Sequence, residues 1–214
     1  MDHTVRGDRE LVVIVDDDDT ICLALADLLR SVGIESMSFS STRDLLGTQL
    51  PNRPGCMVLD VRLPGTSGLD LQSQLTAKGH HLPIVFLSGH GDIAMSVRAM
   101  KAGAVDFLTK PVRDQDLLDA VFVAIDQDKE RRRSDEEVQR ASQLAAALTP
   151  REREVAAAVS RGLVNKQIAY ELGISEITVK LHRGNLMRKM QARSVAELVH
   201  KARLVGIELM ASPS

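Results

Sequence analysis

The chain has 214 residues, 44% hydrophobic and 26% charged, an ordinary globular composition with room for one large domain or two small ones. Its net charge of -2 is unevenly divided: residues 1–130 carry 12 Lys and Arg against 20 Asp and Glu (net -8), and residues 131–214 carry 15 against 9 (net +6). That asymmetry suggests two domains with different partners, the basic one a candidate for nucleic acid. No apolar run reaches the ~18 residues of a membrane span, and the polar residues 1–10 do not read as a secretory signal. The two cysteines, Cys22 and Cys56, lie in no CxxC pair, so they read as small buried residues in a reducing cytoplasm. With no Trp, one Tyr and four Phe, the chain lacks the aromatic platforms on which single-strand binders stack bases.

The first half alternates strands with helices. Leu11–Val15 is a continuous β-branched run, the pattern of a buried parallel strand, and Ile21–Leu29 has helical spacing ending at Gly33. A weaker strand covers Glu35–Phe39. Cys56–Asp60 is a buried strand bounded by Pro54-Gly55 and Pro64-Gly65, and Pro83–Leu87 is another, ending at Ser88-Gly89. Asp92–Ala102 reads as a helix stopped by Gly103, and Ala104–Leu108 as a fifth strand cut off by Pro111. Five strands alternating with helices predict a parallel sheet covered on both faces.

From Asp114 the pattern changes. Leu117, Leu118, Val121, Phe122 and Ile125 have helical spacing and are expected to pack on the sheet. Arg131–Arg133 and Asp135–Glu137 then form a charged, helical linker read as a solvated face. The last 67 residues read as four short helices. Thr149-Pro150-Arg151-Glu152 is a capping box with Pro at the first helical position, and that helix ends at Gly162. Asn165 is expected to cap the second helix, Ser175 the third, running to about Met190, and Ser194-Val-Ala-Glu197 forms a second capping box for the fourth, ending near Gly206. Helix, glycine turn and helix between 165 and 190 is the layout of a helix-turn-helix. The expected domains are therefore 10–127, a linker at 128–144, and 145–210.

Acidic residues fall at the carboxyl ends of two strands: Asp16 to Asp19 after the first and Asp60 after the third. Ligands of open α/β sheets bind outside those ends. Ser88 and Lys110 end the fourth and fifth strands, so these side chains can converge on one pocket. Several carboxylates with one Lys and one hydroxyl suit a hard cation holding a phosphoryl group; Mg²⁺ takes oxygen ligands and needs only one or two carboxylates. Any one of these residues alone reads more simply as a helix cap or a solvated side chain. Their joint placement at four strand ends favours a site.

On the third helix of the basic half, Val179, Leu186 and Met190 share one side, with Met187 at its margin, and form a core stripe. Ile177, Lys180, Leu181, Gly184 and Arg188 fall opposite. Between Ser175 and Arg193 there are five basic residues and one acidic, Glu176. Apolar side chains among basic ones suit a major groove, where they meet thymine methyls and Lys reaches guanine acceptors. A charged rim on a small helical bundle is the blander reading. His80, His81, His90 and His182 show no metal-ligand spacing.

Asp16-Asp17, Asp60 in VLDVRLPGTSGLDL, Ser88 in LSGHGD and Lys110-Pro111 in DFLTKP resemble a response-regulator receiver domain. LTPREREV, GLVNKQIAYELGIS and TVKLHRGNLMRKM resemble a LuxR-type helix-turn-helix, and together they resemble the FixJ subgroup of two-component response regulators over roughly residues 11–205. The resemblance implies an α/β plus all-α chain: a doubly wound five-stranded parallel sheet of flavodoxin-like order 2-1-3-4-5, then a four-helix DNA-binding domain. It implies that Asp60 accepts a phosphoryl group from a sensor histidine kinase, forming an aspartyl phosphate. Asp17, the Asp60 carboxylate and the Arg62 backbone carbonyl would hold Mg²⁺ (or Mn²⁺), Asp16 assisting through water. Lys110 would pair with the phosphate, Ser88 and Phe107 would be the switch residues, Gly89 would leave the phosphodonor room, and Lys110-Pro111 would be cis. The family's acidic pair lies here in a run of four; Asp16 and Asp17 are assigned because the following helix then aligns without a gap, and Asp18 and Asp19 are left to begin that helix.

The resemblance further implies that Lys180, Leu181 and Gly184 meet bases, and Thr178, Arg183 and Arg188 meet phosphates. Gly184 replaces a commonly larger, polar residue, which either admits close approach of the backbone or drops one base contact. The implied partners are the kinase, double-stranded DNA, a second copy through the face of the fourth helix and fifth strand (92–102 and 104–108), and RNA polymerase, all in the cytoplasm with no membrane. Two rivals stand beside this reading. One is a DNA-binding transcription factor whose receiver works without phosphorylation. The other is an enzyme, either a flavodoxin-like flavoprotein, whose flavin phosphate four aspartates would repel, or a metal-dependent phosphatase, which lacks a second general acid near Asp60. The expectation is therefore no enzyme beyond self-directed phosphotransfer.

Overall fold

The computed structural model describes residues 9–64, 66–77, 79, 81–89 and 93–207. The chain divides into two compact units, Met1–Arg132 and Arg133–Ser214. Gly65, His80, His90, Asp92 and residues 208–210 lie outside the described residues.

In the first unit, β1 (Leu11–Val15), β2 (Glu35–Phe39), β3 (Gly55–Asp60), β6 (Ile84–Ser88) and β7 (Asp106–Thr109) form one parallel sheet in the order β2-β1-β3-β6-β7. A two-residue antiparallel ribbon, β4 (Arg62–Leu63) with β5 (Thr66–Ser67), follows β3 and was not foreseen; set aside, it leaves the expected 2-1-3-4-5 order. The runs at 11–15, 55–60 and 84–88 are buried on both faces, which is why they are continuously apolar. Alternate residues supply two cores. Val12, Ile14, Val58, Val85 and Leu87 pack against Leu25 and Leu29 of α1 (Asp19–Ser31) and Leu117, Val121 and Ile125 of α5 (Asp114–Ala146). Val13, Val15, Met57, Leu59 and Phe86 pack against Leu45 of α2 (Thr42–Gly47), Leu71 and Leu75 of α3 (Gly68–Ala77) and Ala99 of α4 (Ile93–Lys101). The sheet is thus clothed on both sides, and its strand order reverses between β1 and β3, opening a crevice at their carboxyl ends.

The structure departs from the sequence pattern in three places in this unit. The last strand begins at Asp106 rather than Ala104, because the Ala104 amide still closes α4 by donating to the Ala99 carbonyl (3.1 Å), after Gly103 turns the chain at φ 88°. Phe122 does not pack on the sheet; it is 45% exposed, since the buried stripe of α5 runs through Leu117, Val121, Ala124 and Ile125. The segment 128–144 is wholly helical, as expected, and Arg133 and Asp135–Glu137 are exposed, but Arg131 and Arg132 at the start of the charge cluster are half-buried on a carboxylate rather than solvated. Asp128 is fully buried; its Oδ2 accepts from the Gly55 amide (3.0 Å) and Arg132 Nε (2.6 Å), and its Oδ1 from Arg131 (2.6 Å). The boundary between the two units falls inside this segment, between Arg132 and Arg133.

The second unit holds α6 (Pro150–Ser160), α7 (Asn165–Leu172), α8 (Glu176–Lys189) and α9 (Val195–Leu204), with Leu144 and Ala145 at the end of α5 closing the core. α6 packs on α8 and α9, and α7 on α8. Thr149 and Glu152 form the reciprocal capping box. Asn165 is not a cap: it is the first residue of α7, the preceding Val164 takes the cap position, and Gln167 accepts the Val164 amide (3.0 Å). Ser194 accepts the Glu197 amide (3.1 Å), but Glu197 reaches back to the Arg193 amide (2.9 Å) rather than to Ser194, so only half of that box forms. Gly173 ends α7 in the left-handed region (φ 64°) and Ser175 caps α8, which makes the tight turn of a helix-turn-helix.

Candidate functional site

The carboxyl ends of the strands bring the acidic constellation together. Asp16 follows β1 and Asp60 ends β3; both are buried, while Asp17 is exposed. One oxygen from each lies within 4.8 Å of the others, a cluster open on one side. Asp18 is the N-cap of α1, accepting the Thr20 (2.8 Å) and Ile21 amides, and Asp19 opens the helix, as expected. The hydrogen bond donated by the Thr20 amide holds the Asp18 carboxyl below its ordinary pKa.

Lys110 crosses from the end of β7 into this cluster. Its Nζ donates to Asp16 Oδ2 (2.5 Å) and Asp60 Oδ2 (2.9 Å). Burial works against its charge, but the hydrogen bonds and charges of the two aspartates prevail and hold its pKa above the usual lysine value. The second Asp60 oxygen accepts the Arg62 amide (3.1 Å), so Arg62 enters through its N–H at the start of the ribbon. Ser88 is fully buried at the end of β6, where its carbonyl accepts the Lys110 amide (2.8 Å), and Lys110-Pro111 is cis. Phe107, in β7, is half-buried with its ring 6.4 Å from that of Phe86 and tilted by 40°. Each strand end thus delivers the residue assigned to it.

Gly68 belongs to this site and was not singled out in the sequence. A Cβ there would lie 2.6 Å from the Asp60 carbonyl oxygen and 3.2 Å from the Phe86 ring. Only glycine lets α3 start against the strand that ends in Asp60.

In the second unit, Val179, Leu186 and Met190 are buried, and Lys180, Leu181, Gly184 and Arg188 share the exposed face of α8. Ile177 (79% exposed) and Leu181 (63%) stand clear of the core among the basic residues. Thr178 and Arg183 are half-buried: Thr178 shares a hydrogen bond with the capping Ser175 (2.8 Å), and Arg183 donates to Asn165 (2.9 Å) on α7. Glu152, 3% exposed, ties α6 to α8 by accepting from Lys189 Nζ (2.7 Å). Burial alone would raise its pKa, but Lys189 and the Thr149 bonds outweigh that and lower it.

Residues 12–122 match the response regulator receiver domain, and residues 146–202 match the luxR family of bacterial regulatory proteins. The chain is a LuxR-type response regulator. It is 50% identical over 205 residues to Nodulation protein W of Bradyrhizobium diazoefficiens, covering 96% of this chain and 90% of the relative. It is 42% identical over 196 residues to the transcriptional regulatory protein FixJ of Azorhizobium caulinodans, covering 92% and 93%. Among solved structures, that of the response regulator StyR superposes with a TM-score of 0.80 at 49% identity, covering 91% of this chain and 98% of that one. This response regulator therefore joins a receiver to a DNA-binding helix-turn-helix. Among its described residues no helix is long and apolar enough to cross a membrane.

Gly184 of the reading helix has open space around it: a Cβ there meets nothing within 4 Å. Gly184→Ala is expected to stabilise the DNA-binding unit by about 0.5–1 kcal/mol, because alanine loses less backbone entropy in a helix interior. Thermal melting followed by circular dichroism measures this. DNA affinity within twofold of wild type identifies Gly184 as an omitted base contact; a tenfold loss identifies it as a close backbone approach.

Proposed function

We propose that this response regulator takes a phosphoryl group from a sensor histidine kinase onto Asp60, dimerises, and then binds double-stranded DNA sequence-specifically to act on RNA polymerase. The observation that carries the reading is Lys110, held between Asp16 and Asp60 at the mouth of the sheet. An Asp60 carboxylate oxygen attacks phosphorus, the phosphohistidine P–N bond breaks with its electron pair going to nitrogen, and the ring, already protonated by solvent on its other nitrogen, leaves as neutral imidazole. Lys110 exchanges a carboxylate partner for a phosphoryl oxygen, and Ser88 lies at the neighbouring strand end to hold another. Asp17, the Asp60 carboxylate and the Arg62 backbone carbonyl would hold Mg²⁺ or Mn²⁺, with Asp16 assisting through water; the three aspartates, each with an oxygen within 4.8 Å of the others, offer the hard donors such an ion takes. The dication would offset the negative charge of the transferring group.

The chemistry is self-directed, and the protein works in the cytoplasm on no external substrate. The dimer face is that of α4 and β7: Ile93 (80% exposed), Val97 and Met100 form one apolar stripe along α4, at i, i+4 and i+7. Paired chains then meet DNA half-sites about one helical turn apart. Full-length protein with Mg²⁺ and acetyl phosphate is expected to shift from monomer to dimer in analytical ultracentrifugation, whereas Asp60→Asn stays monomeric. Equal association of the two proteins would sink the switch.

A further inference from the structure

The C-terminal end of α8 is held from outside the helix-turn-helix. After α8 the chain turns at Gln191, whose φ of 49° makes it the one non-glycine with positive φ among the described residues. Helix ends leave carbonyl oxygens without helical partners. Here Lys201 of α9 reaches across: its Nζ donates to the Met190 carbonyl (3.1 Å) and the Gln191 carbonyl (2.9 Å). Its third bond goes to Glu197 Oε1 (2.7 Å), which saturates the ammonium. The other Glu197 oxygen accepts the Arg193 amide (2.9 Å), on the far side of the same turn. One Lys–Glu pair on α9 thus grips the backbone of residues 190–193. The lysine charge also stands at the negative end of the α8 dipole. Its side chain is only 18% exposed, so it is built into the turn and not offered to a ligand.

We propose that Lys201 is a positioning residue for sequence reading, which fixes the pose of α8 and so the alignment of Lys180 and Leu181 against base pairs. This rests on the DNA-binding assignment of α8. Base-edge hydrogen bonds are short and directional and fail on displacements that phosphate attraction tolerates. A loosened helix end therefore costs discrimination before it costs general affinity.

The test uses the full chain and two duplexes: one selected from a random library with the wild-type protein, and a scrambled duplex of equal composition. Lys201→Met is expected to lower the ratio of selected to scrambled affinity about tenfold, the order of one mismatched base pair. Its affinity for the scrambled duplex, and the salt dependence of that affinity, should stay as in wild type, since the Lys201 donors are all taken by protein oxygens. Lys201→Arg, which keeps charge and donors, should restore the ratio to within about threefold of wild type. A folded Lys201→Met with the wild-type ratio, or with equal losses on both duplexes, overturns the proposal. Should circular dichroism show that Lys201→Met has lost helix, Lys201→Gln, with a neutral amide donor, is judged by the same ratio. A wild-type protein that prefers neither duplex overturns the DNA reading itself, a result distinct from a variant that matches a discriminating parent.

Discussion

Gly55→Ala is expected to destabilise the receiver severely while leaving the DNA-binding unit intact. Gly55 opens β3 and pairs with Leu11 of β1 in the middle of the sheet. A Cβ on Gly55 would lie 1.9 Å from the Leu11 carbonyl oxygen and 3.0 Å from its carbon, and both are backbone atoms that cannot swing aside. Relief requires β1 and β3 to part by more than an ångström, breaking ladder hydrogen bonds and opening cores whose central residues are fully buried. A cost above about 4 kcal/mol is expected, against a total stability of about 5–15 kcal/mol for a domain. The single tyrosine, Tyr170, lies on α7 in the other unit, so its fluorescence is silent about the receiver. Hydrogen exchange read peptide by peptide is the suitable probe: β1 and β3 should lose protection while α6 and α8 keep theirs. Native protection of β3 in the variant would show that the sheet yields more easily than its packing implies.

Asp128→Ala is expected to destabilise the receiver by about 3 kcal/mol. The substitution strands the Gly55 amide without an acceptor and deprives Arg131 and Arg132 of their shared carboxylate. Removing one partner of a buried ion pair costs ~3–5 kcal/mol, but the two arginine side chains are 35% and 22% exposed and can turn partly to water. The lower end of that range is therefore expected. Asp128→Asn keeps an oxygen for the Gly55 amide and gives up only the charge, so it should cost roughly half as much. Denaturant titration monitored by exchange of β3 peptides measures both. Equal losses for the two variants would assign the whole effect to charge.

The sheet and its strand-end residues were legible in the sequence because a parallel sheet buried on both faces writes itself as short apolar runs, and a strand's last residue marks where its pocket lies. Asp16, Asp60, Ser88 and Lys110 could be placed that way without knowing a single contact. The amphipathic wheel of α8 was legible for the same reason. What stayed hidden depends on approach between distant segments. Gly55 and Gly68 look like turn glycines, yet each is demanded by a backbone in another element. Asp128 sits in a charged stretch and has the composition of a solvated face, and only the fold shows the Gly55 amide beneath it. Asn165 has the side chain of a helix cap, but Gln167 satisfies the first free amide and Asn165 turns instead to Arg183. Lys201 lies ten residues beyond the turn it grips, a spacing that no local pattern reports.

The cysteines carry a practical consequence. Both are buried; Cys22 shares its thiol proton with the Asp16 carbonyl (3.5 Å), with burial pushing its pKa up, and burial together with Asp128 pushes Cys56 to about 12. At neutral to mildly alkaline pH Cys56 is therefore held in its thiol form, and only the thiolate attacks maleimides and iodoacetamides. Burial and the raised pKa values disfavour reaction of both native thiols with such reagents. A single reactive handle, Val97→Cys on the α4 stripe for instance, would carry a dye or spin label to the face where two copies are proposed to meet.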